Sequence, residues 1–165
     1  MLEYKLSTIN KRKMRILKHD KKQGVISLLV ENPDDLWDLH SVVDVGDEAR
    51  ASTERKIKLG GSDEKSRVIK KKCTLTIRVE KTEYGTDELR LLGPIIDGPD
   101  DIPRGNAHSF SITPGEELSL KKDWAEYQVR RLQEATKQRN AVLVVLFDRE
   151  KALFLNVTGR GVETL

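Results

Sequence analysis

The sequence predicts a mainly β protein with some α: a small, strongly bent antiparallel sheet closing toward a barrel with one short helix, then a helix and β-hairpin that open an α/β unit. Three observations carry this prediction. Cys73, Leu75, Ile77 and Val79 alternate with Lys72, Thr74, Thr76 and Arg78, the two-residue period of a half-buried strand. Residues 14 to 122 hold several short strand-like runs but one convincing helix. Near Asp123 the pattern turns helical, and an unbroken apolar run, Ala141 to Phe147, follows.

In chain order, Met14–Leu17 and Val25–Val30 read as short strands joined by a turn at Lys21-Lys22-Gln23-Gly24. Asn32-Pro33-Asp34-Asp35 then supplies a helix start: Asn caps, Pro fits the first position, and the acids complement the positive end of the helix dipole. Leu36, Leu39 and Val43 share one helical face with Trp37 beside them, so the helix is expected to bury this face, run to about Val43 and stop before Gly46. Glu48–Leu59 is extended and ends in the loop Gly60-Gly61-Ser62-Asp63-Glu64. Further strands are expected at Leu89–Leu92, His108–Ile112 and Glu117–Lys121, with a loop from Pro94 to Asn106 rich in Pro, Gly and Asp. An Sm-like or OB-like barrel fits that strand count.

Asp123-Trp124-Ala125-Glu126 resembles a capping box and predicts a helix to about Gln138. Ala141–Phe147 has the composition of a strand covered on both faces, and Lys151–Val157 is placed to pair with it across Asp148-Arg149-Glu150. This segment is expected to begin an α/β domain whose remaining cover is not in the sequence.

Of the 165 residues 37% are hydrophobic and 35% charged, a globular rather than disordered mixture. No apolar run approaches the roughly 20 residues that cross a bilayer, and the start lacks a signal-peptide segment, so a cytoplasmic protein without membrane contact is expected. One cysteine, Cys73, excludes an internal disulfide and a cysteine-based zinc site.

The net charge of +3 conceals a strong asymmetry. Residues 1–22 carry eight Lys or Arg against two acids, residues 23–54 eight acids against Arg50, and residues 55–72 eight bases against Asp63 and Glu64. In the last group, Arg55, Lys56, Lys58, Lys65, Arg67, Lys70, Lys71 and Lys72 flank the Gly60-Gly61 loop on both arms of an expected hairpin. Phosphate binding needs this chemistry, since Lys and Arg pair with phosphates and release counterions. In an arbitrary protein such charges more often simply solvate a hairpin.

Several segments resemble the Pelota family. Met14-Arg15-Ile16-Leu17 is similar to the start of archaeal members, Pro33-Asp34-Asp35-Leu36-Trp37-Asp38-Leu39 to their first helix, and Val45-Gly46-Asp47 to the turn after it. Leu91-Leu92-Gly93-Pro94-Ile95-Ile96 and Gly105-Asn106-Ala107-His108-Ser109 resemble later strands, and Ala141 to Gly161 the entrance to the central domain. Ala107 stands where many relatives carry an aromatic residue, which argues against base stacking there.

The resemblance spans residues 14–165. It implies an Sm-like N-terminal domain at 14–122, and at 123–165 a linker helix and partial central domain like that of archaeal and eukaryotic class-1 release factors. Residues 1–13 are expected to be a flexible upstream extension, because Met14 stands where similar proteins begin. The implied function is mRNA surveillance (no-go decay) and ribosome rescue. In it the N-terminal domain binds RNA at the A site and decoding centre of a stalled ribosome, beside the stalled mRNA, without reading a stop codon. The implied partners are an elongation-factor-1-alpha-like GTPase and an ABC-type ribosome-splitting ATPase, engaged mainly through domains beyond this sequence.

The resemblance also puts the basic hairpin in the RNA-binding role and adds Arg15 and His108 as candidates. For His108 a hydrogen-bonding structural role is the plainer reading. Lys11, Arg12 and Lys13 read first as a solubilising tail. A divalent-metal-dependent endoribonuclease is the alternative function, since that activity has been attributed to archaeal members; binding itself requires no cofactor. Asp97, Asp100 and Asp101, with Glu80 or Glu83, are the candidate oxygen ligands, although solvated loop acids are commoner. No His-x-x-x-His pair or Ser-His-Asp grouping occurs, and the catalytic residues of such a nuclease are not identified. A generic Sm-like RNA chaperone would form rings, whereas the helix and continuing second unit predict a monomer.

Overall fold

The computed structural model describes residues 13–59, 67–137, 142–158 and 161–165. Residues 1–12 of the expected 1–13 extension and the loop tip with Lys65 lie outside them.

β1 (Arg15–Asp20) and β2 (Val25–Leu29) form the expected antiparallel hairpin. Asp20 Oδ1 accepts from the backbone N–H of Lys22 at 3.1 Å and Gln23 at 3.0 Å, and Gly24 completes the turn at φ 65°. A Cβ on Gly24 would lie 2.4 Å from the Lys122 carbonyl oxygen, so the turn needs glycine for its space as well as its φ.

α1 (Pro33–His40) starts as expected, on a reciprocal capping box. Asn32 Oδ1 accepts from Asp35 N at 3.2 Å, while Asp35 Oδ2 accepts from Asn32 N at 3.1 Å and Glu31 N at 2.9 Å. Desolvation raises the Asp35 pKa, against the lowering effect of these backbone donors. The helix ends at Ser41 rather than Val43. There Ser41 Oγ donates to Asp38 O at 2.6 Å, and Asp47 Oδ2 accepts from Asp44 N at 2.8 Å, which turns the chain early. Leu36 and Leu39 are buried as predicted, but Trp37 is not: it is 44% exposed. Eight residues make little more than two turns, and Leu36 and Leu39 already occupy the core-facing stripe.

Six further strands follow: β3 (Glu48–Leu59), β4 (Arg67–Arg78), β5 (Lys81–Tyr84), β6 (Leu89–Asp97), β7 (Ala107–Ile112) and β8 (Glu117–Lys121). The sheet order is β1-β2-β8-β3-β4-β6-β5, with β7 also paired to β6, and every pairing is antiparallel. It is a curled half-barrel, which confirms the bent antiparallel sheet without closing it.

The curl has a visible cause at Gly93. β4 and β5 are nearly continuous, turning at Val79 and Glu80, where Glu80 N donates to Leu92 O at 2.8 Å. Gly93 lies inside that corner, where a Cβ would come within 1.8 Å of the Arg78 carbonyl oxygen. β5 has no counterpart in the sequence reading because Lys-Thr-Glu-Tyr offers no apolar alternation. Likewise β6 runs on through Asp97, into the expected Pro94–Asn106 loop, because Ile95 and Asp97 pair with β4.

One core fills the concave side, built from residues such as Ile26, Leu28, Leu75, Ile77, Leu91 and Leu120. α2 (Glu126–Ala135) adds Leu132 and Ala135 to that core, and Arg131 Nε lies 3.7 Å from Asp38 Oδ1 of α1. Asp123 does not cap α2. Ala125 occupies the cap position, and its N–H donates to Gln128 Oε1 at 3.3 Å.

β9 (Val142–Phe147), β10 (Ala152–Thr158) and β11 (Gly161–Thr164) form a separate antiparallel sheet in the order β11-β10-β9. The β9–β10 pairing is the expected hairpin. Among the described residues nothing covers β9 on both faces, as the sequence reading expects: Phe147 is 80% exposed and Leu146 55%. Among the described residues no helix is long and apolar enough to cross a membrane.

Candidate nucleic-acid interface

β3 and β4 are the longest strands of the sheet, at 12 residues each, and their ladder runs unbroken from Glu48↔Arg78 to Leu59↔Arg67. Only the base of this pair has other strand neighbours. β8 pairs with Glu48–Ala51, and β6 with Thr76 and Ile77. Residues 52–59 and 67–74 therefore pair among the described residues with each other alone, as a two-stranded ribbon. Eight residues at about 3.4 Å each carry it roughly 27 Å beyond the sheet.

The basic cluster falls on this ribbon. Arg55, Lys56, Lys58, Arg67, Lys70, Lys71 and Lys72 lie on its two arms, against Glu54 as the single acid. The register sets Glu54 opposite Lys72, but Arg55 opposite Lys71 and Lys56 opposite Lys70. Like charges directly across a ladder destabilise it. Alternating signs would have solvated the ribbon equally well, so two successive cationic pairs carry a cost that an anionic partner would relieve. Phosphates are such a partner, because they neutralise closely spaced cations without requiring a base sequence.

Two other candidates do not join this cluster. Arg15 lies on β1, separated from β3 in the sheet by β2 and β8, and its Nε is 3.0 Å from Glu31 Oε1. His108 lies on β7 opposite Gly93, and its ring stands edge-on to that of Phe110 at 5.1 Å.

The acidic loop shows no convergence on a metal. Asp97 Oδ1 accepts from Arg104 Nη2 at 3.2 Å, and among the described residues no three His, Cys, Asp or Glu side chains are grouped to hold an ion. A metal-dependent nuclease reading has no support in this geometry.

Sequence reasoning missed one surface feature. Trp37, His40 and Tyr84 form an aromatic group in which Trp37 and Tyr84 meet edge to face at 5.4 Å. Tyr84 gave no periodic signal, and Trp37 had been placed in the core.

The model of the Pelota N-terminal domain matches residues 14–136, from the start of β1 through α2. The chain belongs to the Pelota family. It is 37% identical over 157 residues to the pelota homolog of Methanocaldococcus jannaschii, covering 92% of this chain and 45% of that protein. It thus spans less than half the length of this relative. Among solved structures, the Pelota protein of Thermoplasma acidophilum superposes with a TM-score of 0.71 at 21% identity, over 91% of this chain and 42% of that one, and so supports the fold. A model of ribosome-bound archaeal Pelota and ABCE1 matches at 31% identity with a TM-score of 0.61, over 92% of this chain and 44% of that one.

Proposed function

We propose that this chain recognises stalled ribosomes in mRNA surveillance and ribosome rescue, with the β3–β4 ribbon lying against RNA phosphates at the A site and decoding centre. The observation that carries this reading is the projecting ribbon with its two successive like-charged pairs. Membership of the Pelota family and the likeness to a ribosome-bound archaeal Pelota support it independently. The chemistry is binding by shape and charge, in the cytoplasm and as a monomer. Residues 14–136, through α2, form the RNA-facing domain, and residues 142–165 lead into a central domain. Contacts to an elongation-factor-1-alpha-like GTPase and an ABC-type ATPase belong mainly to the part of the relatives that this chain does not span.

The test is a pelleting assay with archaeal ribosomes at fixed salt, comparing the chain with its Arg55→Ala, Lys56→Ala, Arg67→Ala, Lys70→Ala variant. Loss of binding with an unchanged circular dichroism spectrum is expected. Equal binding by a folded variant refutes the role of the ribbon.

A further inference from the structure

Arg50 differs from the other bases around it. It lies on β3 in the middle of the strand order, exposed between the buried Ala49 and Ala51, so its side chain leaves the outer, convex face of the sheet, opposite the core. Neighbouring bases on that face have carboxylates: Lys18 lies 3.8 Å from Asp20, while Lys121 at 3.1 Å and Arg78 at 3.9 Å share Glu48. Among the described residues no ion pair and no hydrogen bond engages the Arg50 guanidinium.

The register sets Arg50 opposite Ser119 of β8 on one side and Thr76 of β4 on the other. A carboxylate at either position would have formed a favourable cross-strand pair, whereas hydroxyls leave all five guanidinium N–H donors open to an acceptor from outside. Glu117 lies diagonal to Arg50 across the β3–β8 ladder, but no ion pair joins them. Ser119 Oγ is 2.7 Å from Ser27 Oγ; with Ser27 as the donor, Ser119 keeps its own O–H to give beside the guanidinium. Two residues along β3, the single carboxylate of Glu48 meets both Arg78 and Lys121, which leaves one positive charge in surplus next to Arg50. A free guanidinium among small hydroxyl donors, with surplus positive charge beside it, suits a phosphate.

We propose that Arg50, with the hydroxyls of Ser119 and Thr76, binds an RNA phosphate on the outer face of the sheet, as a second contact for the strand that meets the ribbon. Positions on one face of a strand recur in steps of two. From Arg50 such steps along β3 pass Ser52 and Glu54 and reach Lys56 and Lys58; from Thr76 along β4 they pass Thr74 and reach Lys72 and Lys70. About 20 Å of strand separates Arg50 from Lys56. A stacked strand with a phosphate every 3.4 Å or so spans that distance in about six nucleotides. The contact rests on the reading of the ribbon as an RNA-binding element, but it uses separate residues.

The test is pelleting of the 165-residue chain with archaeal ribosomes over a series of KCl concentrations, with Arg50→Gln, Arg50→Lys, Glu117→Gln and the four-residue ribbon variant compared. Thermal melting followed by circular dichroism checks that each variant folds. Arg50→Gln is expected to weaken binding roughly tenfold and to make the slope of log affinity against log salt shallower by about 0.7 to 0.9. Arg50→Lys keeps the slope, because the charge stays, but binds a few-fold more weakly, because an ammonium cannot make the two-pronged contact. Glu117→Gln strengthens binding by removing the diagonal acid. A role for Arg50 in the fold alone would shift the melting temperature and leave the slope as it was. If Arg50→Gln keeps the slope while the ribbon variant loses binding, the outer-face contact is refuted and the ribbon reading stands. If the ribbon variant keeps both affinity and slope while Arg50→Gln loses them, the ribbon reading fails and the outer-face contact remains. An Arg50→Lys slope as shallow as that of Arg50→Gln also overturns the contact, since charge would then not matter.

Discussion

Lys122 and Asp47 form a buried ion pair: the ammonium lies 2.9 Å from Asp47 Oδ2, and the two side chains are 6% and 7% exposed. Lys122 also donates to Val42 O at 2.9 Å and to Asp44, and it sits 5.5 Å from the Trp124 ring centre. Gln128 of α2 donates to the same Asp44 at 2.8 Å. The network joins the end of α1, the entry to β3, the exit from β8 and the first turn of α2. Through Gln128 it adds a polar tie between α2 and the α1–β3 turn, beside the packing of Leu132 and Ala135 in the core.

Lys122→Met is accordingly expected to destabilise the fold by about 3 to 5 kcal/mol, because it strands the Asp47 carboxylate in a desolvated site. The Lys122→Met, Asp47→Asn double variant should recover part of that loss, since no buried charge is then left unpaired. Urea unfolding of the single and double variants checks both statements. A Lys122→Met loss below about 1 kcal/mol would show that the network contributes little.

Asp44 gives the same network a pH signature. Its hydrogen bond from Lys122, then that from Gln128, hold its pKa below the ordinary carboxylate range. A carboxylate with a depressed folded pKa contributes stability that is present above its unfolded value, near 3.9, and is lost as pH falls through the folded value. Stability should therefore drop on acidification below about pH 4, and Asp44→Asn should flatten that drop by lowering stability at pH 7 by the same small amount. Asp44 is 61% exposed, so solvent screening keeps the effect small. Urea midpoints across pH 2.5 to 7 would measure it; an undiminished acid drop in Asp44→Asn would contradict the assignment.

Gly93→Ala tests the corner that bends the sheet. Its Cβ would meet the Arg78 carbonyl, a backbone atom that no side-chain rotation can clear. A loss of about 3 kcal/mol or more is expected, at the upper end for overpacking, and would be read from thermal or urea unfolding. Gly46→Ala is the control for φ alone, because Gly46 has φ 98° but open space around it. Its cost should be smaller, about 1 to 2 kcal/mol.

How much of this was legible in the sequence depended on the kind of signal each residue carries. The Asn32–Asp35 cap and the Cys73-to-Val79 alternation are local chemistry, and both stand in the fold. The end of α1 was not legible, because it is set by Asp47, which reaches back from the turn before β3 to Asp44. Nor was the role of Gly93, which depends on β4 and β6 meeting. The basic hairpin was visible as composition, but its projection was not: that required knowing that β8 stops pairing at Ala51 and β6 at Thr76. Tyr84 and Trp37 become a group only once β5 and α1 are brought side by side.

The ribbon allows a prediction in which stability and binding move in opposite directions. Lys56 faces Lys70 across the ladder, so Lys56→Glu converts a like-charged pair into an oppositely charged one. On the reading that these cations merely solvate the hairpin, the substitution should improve the fold by a few tenths of a kcal/mol and leave ribosome binding alone. If the cations contact phosphates, the same gain in stability accompanies weaker binding. Each phosphate contact contributes about −0.7 to −0.9 to the slope of log affinity against log salt. Losing Lys56 should then make that slope shallower by about one, and the four-residue alanine variant should make it shallower by about three to four. Pelleting with ribosomes across 50 to 300 mM salt measures the slope. A slope identical in Lys56→Glu and the unsubstituted chain would leave the paired cations without a phosphate partner.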